Sequence, residues 1–113
     1  MTDNAIVDRD NKLAALNSAT LGAEMPQITL PDGSKVQTGT MGALLINIRA
    51  YNEAHKAEDK DKKAQLEESM RATLPLLDKV GMFDLFPAEE WISGDNEGRK
   101  VVGQMYQEFK SRQ

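Results

Sequence analysis

Thr40-Met41-Gly42-Ala43-Leu44-Leu45-Ile46-Asn47-Ile48-Arg49-Ala50-Tyr51-Asn52-Glu53-Ala54-His55-Lys56 decides how this chain folds. Met41, Leu44, Leu45 and Ile48 recur at i, i+3, i+4 and i+7, the spacing that places side chains on one face of a helix. Ile46 and Ala50 widen that face. Thr38 or Thr40 is suited to cap the start, because a hydroxyl can accept from the free backbone N–H groups there. The stretch reads as the central helix of a helical core.

Helical spacing continues toward the C-terminus. Leu66, Met70, Leu74 and Leu77 form a stripe over about residues 61–80. Pro75 lies inside it and lacks the N–H that an interior turn needs, so a kink or break is expected near Thr73–Pro75. Gly81 ends the element. Pro87 suits the first position of a brief helix through Trp91, with Glu89 and Glu90 where the dipole favours acids. A last helix is expected from about Asn96 to Phe109, capped by Asp95 or Asn96. Its face is Val102, Met105, Tyr106 and Phe109, and Lys110 and Arg112 complement its carbonyl end.

Toward the N-terminus, Asp10 could cap a helix over about 11–21, with Leu13 and Leu16 inward and Gly22 as its stop. Residues 1–9 are polar and read as frayed. Residues 27–38 read as a β-hairpin. Ile28, Leu30 and Val36 share its apolar face, and Pro31-Asp32-Gly33-Ser34 supplies the turn. The expected fold is mainly α: an irregular bundle of four longer helices and one short helix, with one β-hairpin at about 27–38. The 113 residues fit a single domain spanning 1–113, since domain sizes peak at roughly 100–150 residues.

Composition narrows function mostly by exclusion. With no cysteine, thiolate zinc sites, iron–sulfur clusters, disulfides and cysteine nucleophiles are out. His55 is the only histidine, which argues against imidazole-rich metal sites. Asp59-Lys60-Asp61 opens like a calcium loop, but Ala64 stands where Gly is needed and Met70 where Glu is needed. Asp95-Asn96-Glu97 fails likewise, with Lys100 at the sixth position. No serine lies in a hydrolase motif. No cofactor is expected.

The longest uncharged run, Val36 to Ile48, is far short of the roughly 20 apolar residues of a membrane span. Residues 1–12 carry Asp3, Asp8, Arg9, Asp10 and Lys12, where a secretory leader needs an apolar core. The chain is read as cytoplasmic, with no membrane partner. The net charge of −4 disfavours nucleic acid, whose phosphates call for clustered Lys and Arg. Charge is uneven: Asp84, Glu89, Glu90, Asp95 and Glu97 fall in a stretch without a base. Arg99, Lys100, Lys110 and Arg112 follow with one acid, Glu108.

Three places could carry function. Tyr51 and His55, four apart, share a helix face and could act in acid–base chemistry or hold a ligand. The plainer reading is a histidine at a helix end. Gly39-Thr40-Met41-Gly42 could bind an anion, but no Lys or Arg lies between Val36 and Ile48, and a tight strand-to-helix turn explains it. Met82–Trp91 holds Phe83, Phe86 and Trp91 in a chain only 5% aromatic. It is either a partner-facing patch rimmed by acids or part of the core, which a small domain needs its largest side chains to build. The hairpin residues Ile28 and Val36 are candidate interface positions as well. The leading expectation is a small non-enzymatic protein acting by association with itself or a protein partner. The alternative is a ligand-binding or catalytic domain built on Tyr51, His55 and nearby acids.

Overall fold

The computed structural model describes residues 13–17, 20, 27–29, 31–37 and 39–113. From residue 40 onward it holds α1 (Thr40–Lys56), α2 (Lys60–Arg71), α3 (Leu74–Lys79), α4 (Met82–Leu85), α5 (Ala88–Ile92) and α6 (Glu97–Ser111). The chain forms two compact units, Met1–Ala43 and Leu44–Gln113.

In the first unit, residues 13–17 are helical, with Leu13 buried and Leu16 half-buried. The expected frayed segment 1–9 and the Asp10 cap lie outside the described residues, as do the ends of the expected helix over 11–21. Strands β1 (Gln27–Thr29) and β2 (Lys35–Gln37) pair antiparallel, with Ile28 opposite Val36. Gly33 takes φ 89°, and the Asp32 carboxylate accepts from the Ser34 N–H at 2.9 Å and its hydroxyl at 2.6 Å. The Ser34 N–H is thereby spent on the turn, and three pairs join the described strand residues.

That corrects the expected architecture. The β structure is three residues per strand and makes no layer of its own, since two isolated strands are marginal in water. The hairpin over 27–38 is not an architectural element beside the helices, and the fold is mainly α. Four longer helices and one short one is also wrong as a count: α3, α4 and α5 have six residues or fewer.

The helix expected over 61–80 is two. Asp59 caps α2, its side chain accepting from the Lys62 N–H at 3.1 Å. Helix α2 stops at Arg71 and α3 begins at Leu74, which makes Pro75 its second residue, where a missing N–H costs nothing. Thr73 fills the junction by donating its hydroxyl to the Met70 carbonyl at 2.6 Å. Gly81 takes φ 82° and turns the chain into α4, a helix with no apolar period long enough to announce it.

The core of the second unit collects Leu44, Ile48 and Tyr51 from α1, Met70 from α2 and Leu74 and Leu77 from α3. Met82 and Phe83 join from α4, Ala88 and Trp91 from α5, and Val102 and Met105 from α6. Leu44, Met70 and Val102 retain no exposed surface. The inner face of α1 differs from the expected one. Leu44 and Ile48 turn inward as predicted, and Tyr51 continues their stripe. Met41, Leu45 and Ile46 are exposed.

Helix α6 packs chiefly on α5 and α2. Two glycines permit this. A Cβ on Gly98 would lie 2.8 Å from both the Ile48 carbonyl oxygen and its Cγ2. One on Gly103 would lie 2.9 Å from the Ala88 carbonyl oxygen and 3.2 Å from the Trp91 Cβ.

Candidate functional site

Tyr51 and His55 share a face near the end of α1 but differ in environment. Tyr51 is buried and His55 is exposed. Lys63, from α2, reaches both: its Nζ lies 3.0 Å from His55 Nδ1 and 5.3 Å from the centre of the Tyr51 ring. An ammonium can only donate, so in this contact Nδ1 stands on the accepting side. Burial, then the charges of Glu67 and Glu97, push the Tyr51 phenol above its ordinary value. It is held as a donor and makes a poor base.

His55 also borders a groove of about 360 Å³ with Asn52, Lys56, Asp95, Asn96 and Glu97. Tyr51 does not line it. The two asparagines there are already occupied. Asn52 Oδ1 accepts from the Gly98 N–H at 2.7 Å, and Asn96 Oδ1 accepts from the Arg99 N–H at 2.9 Å. Asn52 Nδ2 donates to the same Asn96 oxygen at 3.1 Å. Two of the free N–H groups at the start of α6, which would otherwise suit an anion, are filled from within the chain. Sequence reasoning did not find Asn52. The only signal was the pair of glycines inside the expected last helix, which marks a close approach without naming the neighbour.

The Gly39–Gly42 segment solves a backbone problem. Gly39 takes φ 84° and its carbonyl accepts from the Ala43 N–H at 2.8 Å. Thr40 is the first helical residue, and its buried hydroxyl accepts from Asn17 Nδ2 at 2.8 Å. Among the described residues no three His, Asp or Glu side chains come together in a way that could hold a metal ion. No described helix is long and apolar enough to cross a membrane.

The 82–91 segment divides. Phe83 and Trp91 are buried, with ring centres 5.7 Å apart. Phe83 also stacks on Tyr106, 3.8 Å between centres and 16° between planes. Arg99 lies over the Trp91 ring at 5.2 Å. Leu85 and Phe86 are the opposite case, 76% and 53% exposed at the end of α4. Asp84, Glu89 and Glu90 around them are exposed too. Of the named interface candidates, Phe86 is thus presented to solvent and Phe83 and Trp91 are not. The backbones of Ile28 and Val36 pair with each other, and their side chains lie outside the described residues.

Two further grooves flank α6. One, of about 450 Å³, lies between Phe83, Pro87 and Glu89 on one side and Tyr106 and Lys110 on the other. The second, of about 330 Å³, lies between the start of α3 and the end of α6.

Residues 11–110 match the family described as a domain of unknown function, DUF7709. The chain belongs to the DUF7709 family. No curated protein and no solved structure matches this DUF7709 chain.

Proposed function

We propose that this DUF7709 chain is a small, cytosolic, non-enzymatic protein that acts by protein–protein association. One observation carries the reading: Leu85 and Phe86 stand exposed side by side while Phe83 and Trp91 of the same segment are buried. Single exposed apolar side chains are ordinary on a protein surface. A leucine and a phenylalanine next to each other, rimmed by Asp84, Glu89 and Glu90, offer an apolar centre with a polar edge, the usual anatomy of an interface. The core does not need them, because Phe83 and Trp91 already anchor the segment.

The test compares the native chain with a Leu85→Ser, Phe86→Ser double variant, by solution molar mass and by pull-down from the native host. The variant should melt as the native chain does and lose a companion, whether a second copy or another protein. A native chain that is monomeric and retains the same proteins as the variant overturns the reading.

A second reading, a ligand-binding or catalytic site, is favoured by the groove beside His55. Against it, Asn52 and Asn96 are occupied in helix capping and Tyr51 faces the core. A metabolite that raises the melting temperature of the native chain, but not of His55→Ala, would support it.

A further inference from the structure

The groove between α3 and α6 and the corner at Leu85–Phe86 complement one another. We propose that copies of this chain associate head to tail, the Leu85–Phe86 corner of one seating in the α3–α6 groove of the next. This rests on the association reading and names the partner as a second copy.

The groove has an apolar floor of Leu74, Pro75, Met105 and Phe109, and Arg71 and Arg112 stand on its rim. Arg71 is held by Glu68 at 2.8 Å, but both side chains are largely exposed, and exposed pairs exchange readily. Arg112 takes part in no ion pair among the described residues. Glu108 is the one acid on the rim. The groove therefore asks for an apolar group that brings its own carboxylates.

The corner is such a group. Leu85 and Phe86 are flanked by Asp84, Glu89 and Glu90, in a stretch that runs to Glu97 without a Lys or Arg. Arg99, Lys100, Lys110 and Arg112 follow it in sequence. Helix dipoles account for Glu89 and Glu90 at the start of α5 and for Lys110 at the end of α6. They also account for Asp84 in the first turn of α4, Arg71 in the last turn of α2 and Arg112 at the end of α6; what bears on docking is where these charges stand, acids at the exposed corner and guanidinium groups on the groove rim. Seating one in the other covers Leu85 and Phe86 together with the part-exposed Pro75 and Phe109, since Leu74 and Met105 are already buried. It also brings guanidinium to carboxylate, a pairing that can form two parallel hydrogen bonds. Phe86 is 53% exposed, so it does not fill the groove of its own chain.

Corner and groove are different surfaces, so each copy keeps one of each unused after pairing once. Such a contact repeats until a ring closes or a filament grows.

The experiment mixes two variants, each lacking one surface. Phe86→Asp removes the corner, and Arg71→Glu with Arg112→Glu reverses the groove rim. The native chain should show a molar mass that rises with concentration and falls with added salt. Each variant alone should be monomeric at concentrations where the native chain is not, and should melt as the native chain does when diluted to a monomer. Mixed one to one, they should form a dimer that grows no further, since the mixture holds one good corner and one good groove. A native chain that is monomeric at every concentration overturns the inference. So does a mixture that stays monomeric. If the corner variant dissociates and the rim variant associates like the native chain, the inference fails while the association reading stands.

Discussion

The Tyr106 hydroxyl donates to the Asp78 carboxylate at 2.5 Å, joining α6 to α3. Lys110 approaches the same carboxylate at 3.5 Å. Burial, first, then the bond to Asp78 and the charges of Asp78 and Asp84, push the phenol up to about 12. The folded chain thus holds this proton more tightly than the unfolded chain, whose phenol titrates near 10. The stabilisation is complete below about pH 10 and is lost as pH rises through about 12. The melting temperature of the native chain should fall across that window more steeply than that of Tyr106→Phe, followed by circular dichroism. At neutral pH, Tyr106→Phe should cost about 1.5–3 kcal/mol, the range for a bond to a charged group. Parallel alkaline curves for the two proteins would contradict this account.

Gly98→Ala and Gly103→Ala should both destabilise, although alanine favours a helix over glycine by about 1 kcal/mol. The new methyl group meets a backbone carbonyl oxygen at 2.8 or 2.9 Å, and a neighbouring helix must move to admit it. Overpacking of this kind costs about 1–3 kcal/mol. Gly94 is the control: nothing lies within 4 Å of its added Cβ, and Gly94→Ala should stay within about 0.5 kcal/mol of the native chain. Thermal melts of the three variants decide it.

Asn52→Ala removes a donor and an acceptor and strands the part-buried Gly98 N–H. A cost of about 1–3 kcal/mol is expected by urea unfolding. Asn96→Ala should cost about 1 kcal/mol as a lost cap. Because the two amides share a hydrogen bond, the double variant should lose less than the two costs taken together.

The aromatic segment should divide in stability as it does in exposure. Trp91→Ala opens a void in the core and should cost about 3–5 kcal/mol. Phe86→Ala should fall within about 0.5 kcal/mol of native, since the ring is half in solvent. A large loss on Phe86→Ala would move that ring from the surface to the core.

Much of the helical order was legible because its signals are local. The break before Pro75, the stop at Gly81, the acids at the start of α5 and the Asn96 cap each depend on a few adjacent residues. The buried face of α1 was not legible. Met41 and Leu45 fit the period as well as Leu44 and Ile48 do, and only packing against α6 and its neighbours chooses among them. Asn52 and Gly98 are far apart in sequence, so no window along the chain connects them. The division between Phe83 and Phe86 depends on which turn of a four-residue helix faces inward, too short an element for periodicity to resolve.

Asn52 and Asn96 give α6 one closed end. The Gly98 and Arg99 amides at its start are held by side chains, while at its far end the Arg112 and Gln113 amides bond only to backbone carbonyls two or three residues back. Unwinding of α6 is therefore expected to begin at the tail and move inward toward Phe109. The fraying turn is the one that carries Arg112, so deuterium uptake should run as a gradient along this helix, slow at Gly98 and fast at Ser111.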